Sequence, residues 1–213
     1  MHCDTQTHRE ERTTCFTVNV ISFLADFLPM SNMDSVNETL ERSYNLSVWL
    51  AHEASSLLEL YIDMQGFRDG PPRIPDDHLQ LPMPPSPDDE DWEPTRRLCQ
   101  HRTACRLLAT LLDRVLGEQR ELNETRHHLH QQLQLAITGL QGLDANLSHV
   151  LSSLGSGEEE GDGQSHVLSG PSSDTAHWEA KVNGYHIIAH YTHWVARTVE
   201  DLERLKDHLK PEA

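Results

Sequence analysis

Between Leu129 and Leu154 eight apolar residues recur at alternating steps of four and three: Leu129, Leu133, Ala136, Leu140, Leu143, Leu147, Val150 and Leu154. No proline interrupts them. A repeat of this kind, held for more than three heptads, puts every member on one stripe of an α-helix. The stripe is stable only against other helices, typically crossing at about +20°. A chain organised around this segment is a helix bundle.

Three further segments carry the same periodicity. Residues 35–65 align Val36, Leu40, Leu50, Ala54, Leu57, Tyr61 and Met64, with Ser35-Val-Asn-Glu38 as a capping box and Gly66 as a stop. Residues 95–118 align Leu98, Cys105, Leu108, Leu112 and Val115, widened by Leu107 and Leu111, behind Pro94 at a helix start. Residues 176–209 align Val182, Tyr185, Ile188, Ala189, Thr192, Val195, Ala196, Val199 and Leu202. With the seam helix at 124–154 this makes four helices, and no segment has the period of a strand.

The connections choose the topology. The first is about 29 residues and holds eight of the 11 prolines, and the second is about 4–6. The third is about 21 residues of mostly Gly, Ser and acid. An up-down-up-down bundle needs roughly 2–8 residues at every joint. A 31-residue helix is about 46 Å long, and loops reaching about 95 and 70 Å can return its whole length. Long, short, long therefore predicts an all-α, up-up-down-down long-chain four-helix bundle with two long crossover loops. The expected division is a leader or flexible N-terminal segment over 1–33, a four-helix domain over 34–210 and a tail over 211–213.

Charge narrows what such a bundle does. The chain has 34 Asp plus Glu against 17 Lys plus Arg, a net −17, which disfavours nucleic acid and anionic membranes. No run of 18 apolar residues is present to cross a membrane. Cys15 to Leu28 has some of the apolar character of a signal-peptide core, but Asp26 interrupts it and acids precede it. Four Asn-x-Ser/Thr sequons begin at Asn37, Asn45, Asn123 and Asn146, where seven Asn and 30 Ser plus Thr would give about one by chance. The excess points to the secretory route and a glycoprotein, with these four as candidate glycosylation sites.

No nucleophile elbow, phosphate loop or dinucleotide fingerprint occurs, so no catalytic residues are assigned and the chain is read as a non-enzyme without a cofactor. The alternative is a metal-binding helical bundle. Glu124-Thr-Arg-His127 supplies one Glu-x-x-His where a di-iron site needs two. His186, His190 and His193 share a face of the last helix, and the same face continues to Arg197 and Arg204 as a solvated stripe. A lipid-surface amphipathic protein is a third reading, and the Pro-rich loop and buried second helix weigh against it.

Aromatics beside charge mark candidate interfaces. Trp178 opens the last helix with Lys181 at i+3, either as a partner contact or as a loop-packing Trp beside a solvated Lys. Trp92, in the acidic segment before the second helix, either plugs the core or stands out as an anchor. Trp49 and Trp194 read as packing residues, and Arg197 as outward-facing.

These residues carry a resemblance. Ser47-Val-Trp-Leu-Ala51 with Tyr61-Ile-Asp-Met-Gln-Gly-Phe67, Leu107-Leu-Ala-Thr-Leu-Leu-Asp-Arg114, and Trp178-Glu-Ala-Lys181 with Trp194-Val-Ala-Arg197 and Asp201-Leu202 resemble the interleukin-6-type long-chain cytokines. The similarity is to the ciliary neurotrophic factor and cardiotrophin subgroup, over roughly residues 35–209. It implies a secreted, monomeric growth factor that clusters receptors and triggers kinase and STAT signalling. Trp178 and Lys181 would meet a leukaemia inhibitory factor receptor-like chain. Trp92 and Arg197 would meet a ciliary neurotrophic factor receptor alpha-like chain. The outward faces of the first and third helices would meet a glycoprotein 130-like chain. Four sequons and the acidic third connection depart from the nerve-derived members of that subgroup.

Overall fold

The structure, a computed structural model, describes residues 30–68, 81–86, 92–155 and 173–208, without the side chains of 30–34 and 173–175. The expected leader (save its last residues), the acidic stretch 156–172, Cys3, Cys15 and the tail lie outside the described residues. Four helices and no strand are found among them: α1 Met30–Gln65, α2 Pro94–Leu122, α3 His127–Ser153 and α4 Ser173–His208.

Local chemistry sets several ends. Helix α2 starts where the Glu93 carboxylate accepts the amides of Thr95 (3.0 Å) and Arg96 (2.5 Å), ahead of Pro94 in the first turn. Gly66 (φ +77°) and Gly155 (φ +74°) follow α1 and α3 in the left-handed conformation that glycine adopts without strain. Helices α3 and α4 start three residues later and three earlier than the sequence reading, at His127 and Ser173, and two ends differ by more. Helix α1 begins at Met30, so Ser35 lies inside it, and its carbonyl takes the Thr39 hydroxyl at 2.9 Å. Helix α2 runs on to Leu122 because Gln119 is buried and bonded at the bundle end, and the Asn123 amide closes the turn on the Gln119 carbonyl at 2.8 Å.

Direction follows from which residues meet. Along α1 and α4, Glu41 meets Lys206, Ala54 meets Thr192 and Tyr61 meets Lys181, so these helices are antiparallel. Thr39 meets His149 and Leu50 meets Gly139, so α1 and α3 are antiparallel. Arg106 meets Asp144 and Gln119 meets His130, so α2 and α3 are too. The principal packed pairs are α1–α3, α1–α4, α2–α3 and α2–α4, all antiparallel, while α1 and α2 point the same way across a diagonal. The bundle is up-up-down-down.

All eight residues of the 4-3 seam are buried. Helix α4 buries a wider face than one stripe: Ile187, Tyr191, Trp194, Thr198 and Leu205 are buried, and Ala196, expected inside, is exposed. The cause is that α1, α2 and part of the first connection all pack on α4. The tightest approach is at one end, where Gly184 faces the Tyr61 ring and hydroxyl. That hydroxyl donates to the Lys181 carbonyl at 3.0 Å and accepts from the Gln119 amide at 3.2 Å, and burial holds its pKa well above the usual tyrosine value. A Gly184→Ala methyl has no room there. It should cost about 1–3 kcal/mol, read as a lower midpoint in thermal unfolding followed by circular dichroism.

Candidate functional site

Three regions of the surface carry the candidate residues. The first is the end of the bundle where α4 begins. Trp178 is 56% exposed. Its ring meets Phe67 edge-on at 5.7 Å between centroids, and Phe67 meets Tyr185 edge-on at 6.1 Å. Phe67 is brought inside by the turn at Gly66, with its amide bonded to the Ile62 carbonyl at 2.9 Å. Trp178 is thus held in one orientation by a buried ring while most of its own surface meets water. Lys181 is half-buried one turn on. Beneath them Gln119 receives the Gln65 and Asn123 amides at 2.7 and 2.9 Å.

The second region is the outward face of α1 and α3. Trp49 is 40% exposed, and Val48 and Leu135 are also exposed. This corrects the expectation that Trp49 is a packing residue. Leu50, one step along α1, takes the inward place and closes on Gly139 of α3, and the Trp49 ring lies across the outside of that glycine. A mid-helix Trp in an apolar run does not reveal this from sequence. The signal was Gly139, which can admit a neighbour's side chain only if a partner helix comes close.

The third region is where the first connection crosses α4 and α2. The Pro82 carbonyl accepts two buried donors of α4, His190 Nε2–H at 2.6 Å and Trp194 Nε1–H at 2.8 Å. Because a carbonyl only accepts, His190 carries its proton on Nε2. Arg97 of α2 donates to the Ser86 carbonyl at 3.0 Å. Burial lowers the His190 pKa, against the Pro82 bond that raises it and with His193 adding to the fall. Its folded pKa lies below the unfolded value, so the stability contributed by burying the neutral imidazole is present above about pH 6.5 and is lost as the pH falls.

Arg197, expected outward, is buried at 8% exposure. The reason is a charge network between α2 and α4. Arg197 donates to Asp201 through Nη2 at 2.5 Å and Nε at 3.2 Å, and to Glu200 at 2.9 Å. Asp201 also accepts from His101 Nε2–H at 2.8 Å, and Thr198 Oγ1 sits 2.9 Å from the other ring nitrogen. Burial alone would raise the Asp201 carboxyl. Hydrogen bonds and charge from His101 and Arg197 outweigh it and hold the group below the ordinary carboxylate value. Sequence reasoning missed His101 and Asp201 as a pair because they are 100 positions apart.

Trp92 takes the plug arrangement. It is 7% exposed, with the Arg204 guanidinium 4.4 Å above its ring and the His208 ring tilted against it at 5.0 Å. Of the four sequence-expected residues, Trp178 and Lys181 share the first region, and Trp92 and Arg197 share the third. Cys105 is buried and Cys99 exposed. Among the described residues no group of three or more His, Cys, Asp or Glu could hold a metal ion, which leaves the metal-binding alternative without support. No described helix is long and apolar enough to cross a membrane.

Against known proteins, the family model for ciliary neurotrophic factor matches residues 34–212. Mouse cardiotrophin-1 is 32% identical over 185 residues, covering 83% of this chain and 89% of the relative. Mouse cardiotrophin-2 is 31% identical over 178 residues, covering 81% and 85%.

Two predictions follow from the third region. Asp201→Asn should cost about 3 kcal/mol at neutral pH, because it leaves Arg197 buried without its full partner. The wild-type advantage is present above about pH 4 and is lost as the pH falls through the lowered pKa, so melting curves of the two proteins should converge in acid. Trp92→Ala should cost about 3 kcal/mol in denaturant unfolding, the loss expected of a buried indole rather than of a surface side chain.

Proposed function

The chain belongs to the ciliary neurotrophic factor family of helical cytokines, and from that premise we propose that it is an extracellular ligand that assembles three receptor chains on three regions of one rigid bundle. It is a signalling protein and not an enzyme. The first region is the contact for a leukaemia inhibitory factor receptor-like chain. The observation that carries the reading is Trp178: a large aromatic, mostly exposed, yet fixed by Phe67 and set one turn from Lys181. A fixed exposed aromatic loses little freedom on binding, which is what a hot spot needs.

The outward face of α1 and α3 is the contact for a glycoprotein 130-like chain. Trp49, Val48 and Leu135 give that face its apolar centre. The third region faces a ciliary neurotrophic factor receptor alpha-like chain. There Trp92 and Arg197 act from beneath: Trp92 holds Arg204 and His208 in place, and Arg197 anchors Glu200, which stands out at the surface. Receptor clustering then brings cytoplasmic kinases together and drives STAT phosphorylation.

Trp178→Ala with Lys181→Ala should abolish STAT phosphorylation in responsive cells while far-UV circular dichroism stays helical. Undiminished potency of the double variant would remove the basis for this assignment.

A further inference from the structure

We propose that Asn37 and Asn45 carry N-linked glycans, and that the Asn45 glycan lies over the Val48–Trp49 edge of α1. Both asparagines are exposed. The other two sequons are placed differently. Asn123 is built into the α2–α3 turn, with its side-chain amide on Gln119 at 2.9 Å, and Asn146 is half-buried next to the seam residue Leu147. The pair on α1 is eight residues apart, about 12 Å along the helix, on the side that no other helix covers.

Position gives the Asn45 sugar a consequence. Val48 and Trp49 stand at i+3 and i+4 from it, the two nearest neighbours on a helix surface, about 5–6 Å between Cβ atoms. They are also two of the exposed large apolar side chains of the bundle. A bulky, hydrated group at Asn45 screens their N-terminal margin and leaves the Leu135 side of the patch open. A partner on this face would then approach from the Trp178 end of the bundle.

The fold also says when attachment takes place. The hydroxyls that complete the two sequons are spent inside α1: Thr39 is buried and donates to the Ser35 carbonyl at 2.9 Å, and Ser47 is buried and donates to the Tyr44 carbonyl at 2.7 Å. Transfer therefore precedes helix formation. The Asn amide nitrogen attacks the anomeric carbon of a lipid-linked oligosaccharide diphosphate, a carbon–nitrogen bond forms, one amide proton passes to base and the lipid diphosphate leaves.

The inference rests on the extracellular reading only for its natural setting, so the test supplies the route. The full chain is secreted from mammalian cells behind a heterologous signal sequence, treated with peptide N-glycosidase and mapped by mass spectrometry. Asn37 and Asn45 should both be converted to Asp, and either one left as Asn in the secreted protein overturns the assignment. On a hydrophobic-interaction column Asn45→Gln should elute later than the glycosylated wild type, and adding Trp49→Ala should reverse that delay. Bacterially made wild type and Asn45→Gln, which carry no glycan, should elute together. Equal retention of the two secreted proteins, or a delay that survives Trp49→Ala, would show that the sugar does not cover this edge. These readouts need no receptor, so they stand or fall apart from the receptor assignments.

Discussion

A chain whose second helix runs parallel to its first must bring its backbone back along the whole bundle, and that backbone needs hydrogen-bond partners where it crosses packed helices. Here they come from side chains. Two donors of α4 converge on the Pro82 carbonyl, and a third, from α2, reaches the Ser86 carbonyl. Proline suits such a segment, because its ring fixes the backbone and it has no amide hydrogen to satisfy. The described part of the crossing, 81–86, packs on the α2–α4 side.

Two interhelical polar networks lie towards the two ends of the bundle, with most of the apolar seam between them and Ser47 and His190 buried along the way. At one end Tyr61, Gln65, Gln119 and Asn123 join the ends of α1 and α2 to the Lys181 carbonyl at the start of α4. At the other, His101 of α2 meets Asp201 and Thr198 of α4. Leucine stripes tolerate sliding and exchange of partners. Hydrogen bonds between particular side chains do not, since a shift of register would leave buried polar groups unpaired. The antiparallel pairing of α2 with α4 is thus fixed by groups that a stripe analysis does not score.

That division explains what could be read from the sequence. The 4-3 seam and the loop lengths depend on local spacing and chain reach, and the seam residues are buried as their spacing requires. Trp49 and Arg197 depend on which helix lies opposite, and there spacing misleads. Arg197 continues a polar stripe, yet Asp201 one turn away gives a buried guanidinium its counter-charge, and His101 on another helix donates to the same carboxylate. Trp49 continues an apolar run, yet Leu50 is the side chain that fits against Gly139. In both cases a residue of a different element takes part, Gly139 for Trp49 at 90 positions and, through Asp201, His101 for Arg197 at 96. The buried arc of helix α4 is wider than any single stripe because three elements pack on it.

The four tryptophans show how one residue type is divided by these constraints. Trp194 is buried and uses its indole N–H to hold the crossing loop, and Trp92 is buried as a platform for Arg204. Trp49 lies across the outside of a helix–helix groove, and Trp178 stands on a buried phenyl ring. Only the last two retain enough exposed area to contribute on binding. Their supports differ: Trp178 is fixed by an edge-on ring, and Trp49 by the close approach of two helices. A ligand that must hold receptor chains at set angles needs such fixed contacts, because motion in any of them would be passed to the geometry of the assembled receptors. Rigidity of the bundle and exposure of these rings are therefore one property, produced by the same packing.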